Sequence, residues 1–76
     1  MKYDAAIAEG VKRNAEAREA WANGRQLVVG AYYPHGNGIW LRRIVDVEGH
    51  DVIWTDHVGA GRCMRAVFVR TVAAPL

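Results

Sequence analysis

The sequence predicts an α+β protein: an N-terminal α-helix in residues 1–24, followed by a small antiparallel β-barrel of four to five strands in residues 25–76. Three observations support this. Alanines are concentrated before Gly24, short Val-rich segments separated by Gly-bearing turns come after it, and a chain of 76 residues has room for a single domain only. Leu, Ile, Val and Phe supply 18 of the 76 residues, which is enough apolar material for a folded core.

The first segment is predicted to be an amphipathic helix because apolar residues recur at every fourth position. This stripe consists of Tyr3, Ile7, Val11 and Ala15. Asp4 is the expected N-cap, and Asn23-Gly24 offers the left-handed backbone at which helices end. Because the stripe is narrow, the helix needs a surface to dock on. We expect that surface to be the strands of the same chain, with a homodimer through the helix or a partner protein as the alternatives.

The strands are predicted from Val-rich runs bounded by turn residues. They cover residues 25–33, 39–47 and 52–57, and residues 62–72 hold one or two more with a helical turn between them. The intervening turns are 34–38, 48–51 and 58–61. Closure of such short strands into a barrel is expected, because a barrel has no free edge at which chains could aggregate.

The register of the central hairpin follows from matching side chains across its turn. Pairing Val47 with Val52 places Val45 opposite Trp54 and Arg43 opposite Asp56, and we expect this set to face inward. The outward set then pairs residue 44 with 55 and residue 42 with 57, beside Trp40.

The charge of +2 comes entirely from the part of the chain after Gly24, where all six cationic residues are arginine. Arginine binds carboxylates and phosphates through two parallel hydrogen bonds and stacks on aromatic rings. Abundant Ala, Val, Gly and Arg with no Ser is also typical of a GC-rich genome, so the preference for arginine has two explanations. The small excess of positive charge is only a weak indication of nucleic-acid binding.

The sequence predicts an intracellular, cytoplasmic protein that does not interact with membranes. Its start lacks the apolar stretch of a signal peptide. The longest uncharged apolar run covers residues 27–33 and is far too short to cross a bilayer. A single cysteine cannot form an internal disulfide, so nothing indicates an oxidising compartment.

Catalysis, cofactors and metals are not expected. Without serine, acyl transfer would depend on Cys63 with His57 or His50 as base, and a lone cysteine in a small domain is more often a buried filler, although its reactivity is left open. His35, His50, His57 and Cys63 lack the short spacing of a structural zinc site. The turn at 59–62 has two glycines and an arginine but lacks the lysine and long helix of a phosphate-binding loop.

The stretch Trp40-Leu41-Arg42-Arg43-Ile44-Val45, followed by Val52-Ile53-Trp54-Thr55-Asp56-His57-Val58-Gly59, resembles the Tudor branch of the SH3-like barrels. Phe68 and Arg70 lie where such barrels close with a large apolar residue and a basic one. The likeness covers about residues 25–72 and extends to small SH3-like proteins of bacteria and their viruses, which carry a cysteine after the glycine turn and a phenylalanine five residues on, as in Cys63 and Phe68. Tudor domains bind methylated Arg or Lys in an aromatic cage, so the resemblance implies that Trp40 and His57 could be cage walls.

We therefore expect a non-enzymatic module that binds a protein partner through aromatic and arginine side chains. The expected contact residues are Trp40, Arg42, Tyr32, Tyr33, His57, Arg62 and Arg65. Trp54 and one of the two tyrosines are expected in the core. By analogy with the small viral barrel proteins that the sequence resembles, the target would be host machinery such as antiviral defence. The alternative is a nucleic-acid binder that uses Arg42, Arg62, Arg65 and Arg70, with Trp40 and Tyr32 stacking on bases.

Overall fold

The computed structural model describes residues 2–36 and 40–75, the first eight of these by their backbone alone. Two helices flank four strands within the described residues. The elements are α1 (Lys2–Ala22), β1 (Tyr32–His35), β2 (Trp40–Glu48), β3 (Asp51–Thr55), β4 (Ala60–Met64) and α2 (Arg65–Thr71). This order confirms the α+β class and the N-terminal helix. The glycine stop is also confirmed, because Gly24 has a φ of 114° just after α1 ends.

The four strands form one antiparallel, open sheet in the order β1-β2-β3-β4. Beyond β4 the chain forms α2 and then returns to the free side of β1. There His35 and Val72 form an isolated antiparallel bridge, and the Ala73 amide donates to the Pro34 carbonyl at 2.7 Å. The last described residues therefore lie against the first strand.

The central hairpin pairs Val47 with Val52 as predicted, but the rest of the predicted register is wrong. A β-bulge at Val45 shifts the pairing by one residue, so that Ile44 lies opposite Trp54 and Arg43 opposite Thr55. Ile44 is completely buried, whereas Val45 is 46% exposed. Alternation alone cannot reveal the extra residue, because a bulge interrupts the two-residue period on which the prediction depends.

The predicted strand at 25–33 is also wrong, because β1 begins only at Tyr32 and continues into the predicted turn. Gly30 has a φ of 90°, which interrupts extended backbone. The Val28 amide donates to the Tyr33 hydroxyl at 2.9 Å rather than to a neighbouring strand. Residues 37–38 of that turn and the predicted start of the second strand at Ile39 lie outside the described residues.

Helix α1 docks on the same chain, but not through the predicted stripe. Val11 is 64% exposed and Ala15 is also exposed, and the side chains of Tyr3 and Ile7 lie outside the described ones. The predicted N-cap at Asp4 is wrong, because α1 already begins at Lys2 and Asp4 lies inside it. The docked face instead carries Ala17, which is completely buried, and Trp21, which packs against the core.

Asn14 fixes α1 to the sheet. Its Oδ1 accepts from the Tyr32 amide at 2.9 Å, and its Nδ2 donates to the Tyr32 carbonyl at 3.3 Å. One side-chain amide thus satisfies both backbone groups of a strand residue, as a neighbouring strand would.

The core lies between this sheet and the two helices. Tyr33 is at its centre, with its ring 5.9 Å from Trp21 and 5.8 Å from Phe68, the latter in an edge-to-face arrangement. Phe68 is the buried residue of α2, and Ile44 and Val52 come from the sheet.

Candidate functional site

An exposed aromatic pair marks one end of the sheet. Trp40 begins β2, and His57 lies in the turn between β3 and β4. Their rings stack with centroids 3.9 Å apart and planes 16° from parallel, and Trp40 remains 46% exposed. Val58, the next residue in the turn, is 82% exposed. We call Trp40, His57 and Val58 the aromatic tip.

The two rings of the aromatic tip lie face to face. A cation held by aromatic walls sits over the faces of the rings, within about 6 Å of each centroid. Rings in direct face-to-face contact leave no such space between them. Each ring therefore covers one face of the other, and the suggestion that Trp40 and His57 could be cage walls stays a prediction.

Asp56 shapes the turn that carries His57 and Val58. Its Oδ1 accepts from the Val58 amide at 2.8 Å and the Gly59 amide at 3.0 Å, and its own amide donates to the Gly59 carbonyl at 2.8 Å. These two backbone donors are the main reason that the pKa of Asp56 is lowered, with smaller contributions from His57 and Arg42. The turn is thus held by an ionised carboxylate.

Arg42 lies beneath the tip, between a ring and a carboxylate. Its guanidinium carbon is 4.0 Å from the centre of the Trp54 ring, and its Nε is 3.7 Å from Asp56 Oδ2. The arginine side chain is largely buried and that of Asp56 nearly completely so. Cation–π and ion-pair attraction strengthen in such desolvated surroundings. Arg42 therefore joins Trp54 to the turn.

Gly61 makes room for Trp54. The two residues are directly opposite each other on β4 and β3, and a Cβ at position 61 would fall inside the indole. Trp54 also packs against the core, as expected from the sequence. Glycine at position 61 is required for the ring to lie flat across β4 and present its other side to Arg42.

His35 completes the cluster, which we call the Asp56 cluster: His35, Arg42, Trp54 and Asp56. The His35 Nε2 is 3.9 Å from Asp56 Oδ2, and burial, followed by the nearby Arg42 charge, lowers the pKa of His35. Three buried side-chain nitrogens have no hydrogen-bond partner among the described residues: His35 Nε2, Arg42 Nε and Trp54 Nε1. The cluster is therefore polar and held by charge attraction and ring stacking rather than by direct hydrogen bonds.

The other predicted contact residues are dispersed. Tyr33 is completely buried, so its predicted place on the surface is corrected: it belongs to the core, as one of the two tyrosines was expected to. Tyr32 is exposed on the opposite face of the sheet, with the Arg43 guanidinium 5.9 Å from its ring. Only Trp40, Arg42 and His57 are brought together.

Arg62 and Arg65 lie away from the aromatic tip. Arg62 donates to Asp51 at 3.0 Å and contacts Glu48 at 3.1 Å, and the bond to Asp51 is the main cause of the raised pKa of its guanidinium. Arg65 begins α2 at the other end of the sheet, where Met64 pairs with Asp51. Neither arginine belongs to the set of contacts that joins Trp40 to His57 and Arg42 to Asp56.

The sequence did not identify His35 and Asp56 as site residues. A signal for Asp56 exists, because Asp three residues before Gly is typical of a turn in which the carboxylate accepts backbone amides. His35 carries no such signal, because its position beside Asp56 depends on the pairing of β1 with β2.

Cys63, on which acyl transfer would depend, is half-buried and packs against the core. Among the side chains that the structure describes, no group of three or more His, Cys, Asp or Glu residues is arranged to hold a metal ion.

Neither of the two described helices combines the length and the apolar character needed to cross a bilayer.

Comparison with known proteins gives no relative: no family model, curated protein or solved structure matches the chain.

Proposed function

We propose that this protein is a non-enzymatic binding module that engages a protein partner through the aromatic tip. The observation that carries the proposal is the exposed Trp40, stacked on His57 beside the exposed Val58. Tryptophan is among the residues that dominate binding energy at protein interfaces, because it offers a large contact area at a small cost in side-chain entropy.

The support beneath the tip favours binding. The turn carrying His57 is held by Asp56, which attracts Arg42, which in turn stacks on Trp54. A contact surface that is already ordered loses less conformational freedom on association. In this proposal Arg42 is a positioning residue for the tip rather than a direct contact.

The arrangement of arginines favours a protein over a nucleic acid. Arg42 and Arg62 are close to carboxylates, and Arg70 Nε donates to the Ala66 carbonyl in its own helix. The arginines named for the nucleic-acid alternative are therefore spread over several surfaces and partly neutralised. Strong binding to phosphates requires several cations along one path.

We further propose that the sheet belongs to the SH3-like barrels of Tudor type. The support is the four-stranded meander, followed by a short helix and a return of the chain to the free side of β1, where Val72 forms a bridge with His35. From the resemblance to small viral barrels, we propose an accessory protein of a bacterial virus or mobile element that occludes host machinery, such as antiviral defence.

The proposal is tested by capture from bacterial lysates with quantitative mass spectrometry. The immobilised protein is compared with Trp40→Ala and with Val45→Ala, whose side chain has the same exposed fraction of 46% but lies at the bulge. We expect a partner that the wild type and Val45→Ala capture and Trp40→Ala does not, with both variants melting close to the wild type.

Two results would contradict the proposal. Equal capture by Trp40→Ala would remove the aromatic tip from the interface. Tight binding to an oligonucleotide, with a log–log salt slope of about −0.7 to −0.9 for each phosphate contacted, would favour the nucleic-acid alternative.

A further inference from the structure

A groove lies at the end of the sheet opposite the aromatic tip. It is formed by the residues after α1, the turn between β2 and β3, and the start of α2, and it has a volume of about 550 Å³. This is within the range of about 300–1,000 Å³ typical of ligand sites. We call it the basic groove, because Arg25, His50 and Arg65 line it and no carboxylate does.

The floor of the basic groove is apolar. Met64, which is 58% exposed, lies there with Ala66 and Val69. Methionine is flexible and polarisable, so it can adapt to the side chains of a bound partner. The groove thus combines an apolar floor with positive charge along its sides.

Both sides of the groove are fixed in place. The Arg65 amide donates to the His50 carbonyl at 2.7 Å, which joins α2 to the turn between β2 and β3. Arg25 has a left-handed φ of 56°, its amide donates to the Trp21 carbonyl at 2.7 Å, and its guanidinium lies 5.7 Å from the Trp21 ring. The cation on that side is therefore held by α1.

The two arginines of the groove have no carboxylate partner in the part of the chain that the structure describes. Arg13, Arg42 and Arg62 each lie within 4 Å of a carboxylate. Among the described residues no carboxylate lies that close to Arg25 or Arg65. These two guanidinium groups can therefore pair with carboxylates from another molecule, for which their geometry is well suited.

We infer that the basic groove binds an acidic peptide segment of the protein partner, in which Asp or Glu alternates with apolar side chains. The inference rests on the proposed function and adds a second contact for the same partner. Charge complementarity defines the occupant: carboxylates for the two arginines, and apolar side chains for the floor at Met64. A peptide fits a groove open on one side, whereas small molecules are usually enclosed over most of their surface.

The test uses the full chain and fluorescein-labelled peptides of sequence Gly-Glu-Leu-Glu-Leu-Gly, with Gln or Lys replacing both Glu residues as controls. Anisotropy measures affinity at low salt, and NMR amide shifts locate the binding. We expect the Glu peptide to bind best and to shift signals around Met64 and Arg65. Because solvated ion pairs contribute modestly, Arg65→Gln should weaken binding about threefold and Arg25→Gln with Arg65→Gln about tenfold. The control Arg43→Gln, outside the groove, should bind like the wild type.

Several results would overturn the inference. These are no binding of the Glu peptide at millimolar concentration, equal affinity for the Gln peptide, equal losses in Arg43→Gln, or tighter occupation of the groove by octanoate or oligo-dT. Melting curves establish that each variant is folded. These titrations use defined peptides and a protein with Trp40 intact, so they test the groove independently of the aromatic tip. If the peptides do not bind, the capture that depends on Trp40 is unaffected. If Trp40→Ala captures the partner like the wild type, the peptide result is unaffected.

Discussion

Replacing Gly61 by alanine should destabilise the fold through Trp54. The new Cβ would overlap three atoms of the indole, so the ring would have to retreat by about 1 Å before ordinary contact is restored. Inserting a carbon into a packed site costs about 1–3 kcal/mol. In a domain of this size each kcal/mol lowers Tm by about 4–8 °C, so we expect a decrease of about 5–20 °C.

Gly59→Ala is the matched control. Gly59 lies two residues earlier, its φ is not left-handed, and a Cβ there would meet no atom within 4 Å. Its amide, which donates to Asp56, is retained in alanine. We expect Gly59→Ala to melt close to the wild type.

Thermal denaturation followed by circular dichroism measures both variants, together with Trp54→Leu in each background. If the clash is the cause, Trp54→Leu should restore much of the Tm lost in Gly61→Ala, and the double-mutant cycle should give a coupling energy between positions 54 and 61. Equal Tm values for Gly61→Ala and Gly59→Ala, or no coupling with position 54, would refute the argument.

Three further predictions concern single contacts. Because the pKa of Asp56 is lowered in the folded protein, its ionisation contributes stability that is present above pH ~4 and is lost as the pH falls further. Asp56→Asn should therefore make the decrease of Tm between pH 6 and pH 2.5 smaller than in the wild type. An unchanged dependence of Tm on pH would contradict this. Asn14→Ala should lower the free energy of unfolding by about 1 kcal/mol and accelerate hydrogen exchange of the Tyr32 amide, because that amide loses its acceptor. Unchanged exchange would show that the hydrogen bond is unimportant. Tyr33→Phe should also lower the free energy of unfolding, measured by urea denaturation, by about 1 kcal/mol, because the Val28 amide loses the hydroxyl oxygen that accepts from it. A variant more stable than the wild type would contradict the importance of that hydrogen bond.

The predictions from sequence succeeded where local signals determine the structure. Asn23-Gly24 ends α1 as expected, and the turn residues at 48–51 place Val47 opposite Val52. Each of these features depends on a few neighbouring residues and a strong conformational preference.

The failures involve tertiary contacts. The face of α1 that docks is determined by Ala17, which allows close approach, and by Asn14, which bonds to a strand. A hydrophobic stripe indicates neither contact, because alanine is scarcely apolar and asparagine is polar. Similarly, the bulge at Val45 depends on fitting Ile44 into the core opposite Trp54.

For the candidate site, the sequence named three members but not the residues that hold them in place. Trp40, Arg42 and His57 were predicted together and lie together. The role of Asp56 depends on the fold of its turn, and that of His35 on the pairing of β1 with β2. The sequence also could not show that Arg62 is paired with Asp51, because the type of a residue does not indicate which side chains lie next to it in the fold.

The bulge at Val45 also gives β2 one residue more than its pairing with β3 requires. Ile44 and Val47 are three positions apart, yet they lie opposite Trp54 and Val52, which share one face of β3. Without residue 45 the same pairs would follow strict alternation, so Trp40, Arg42 and Ile44 would stay on their present side of the sheet. A chain shorter by that one codon would therefore keep its tryptophan where it is.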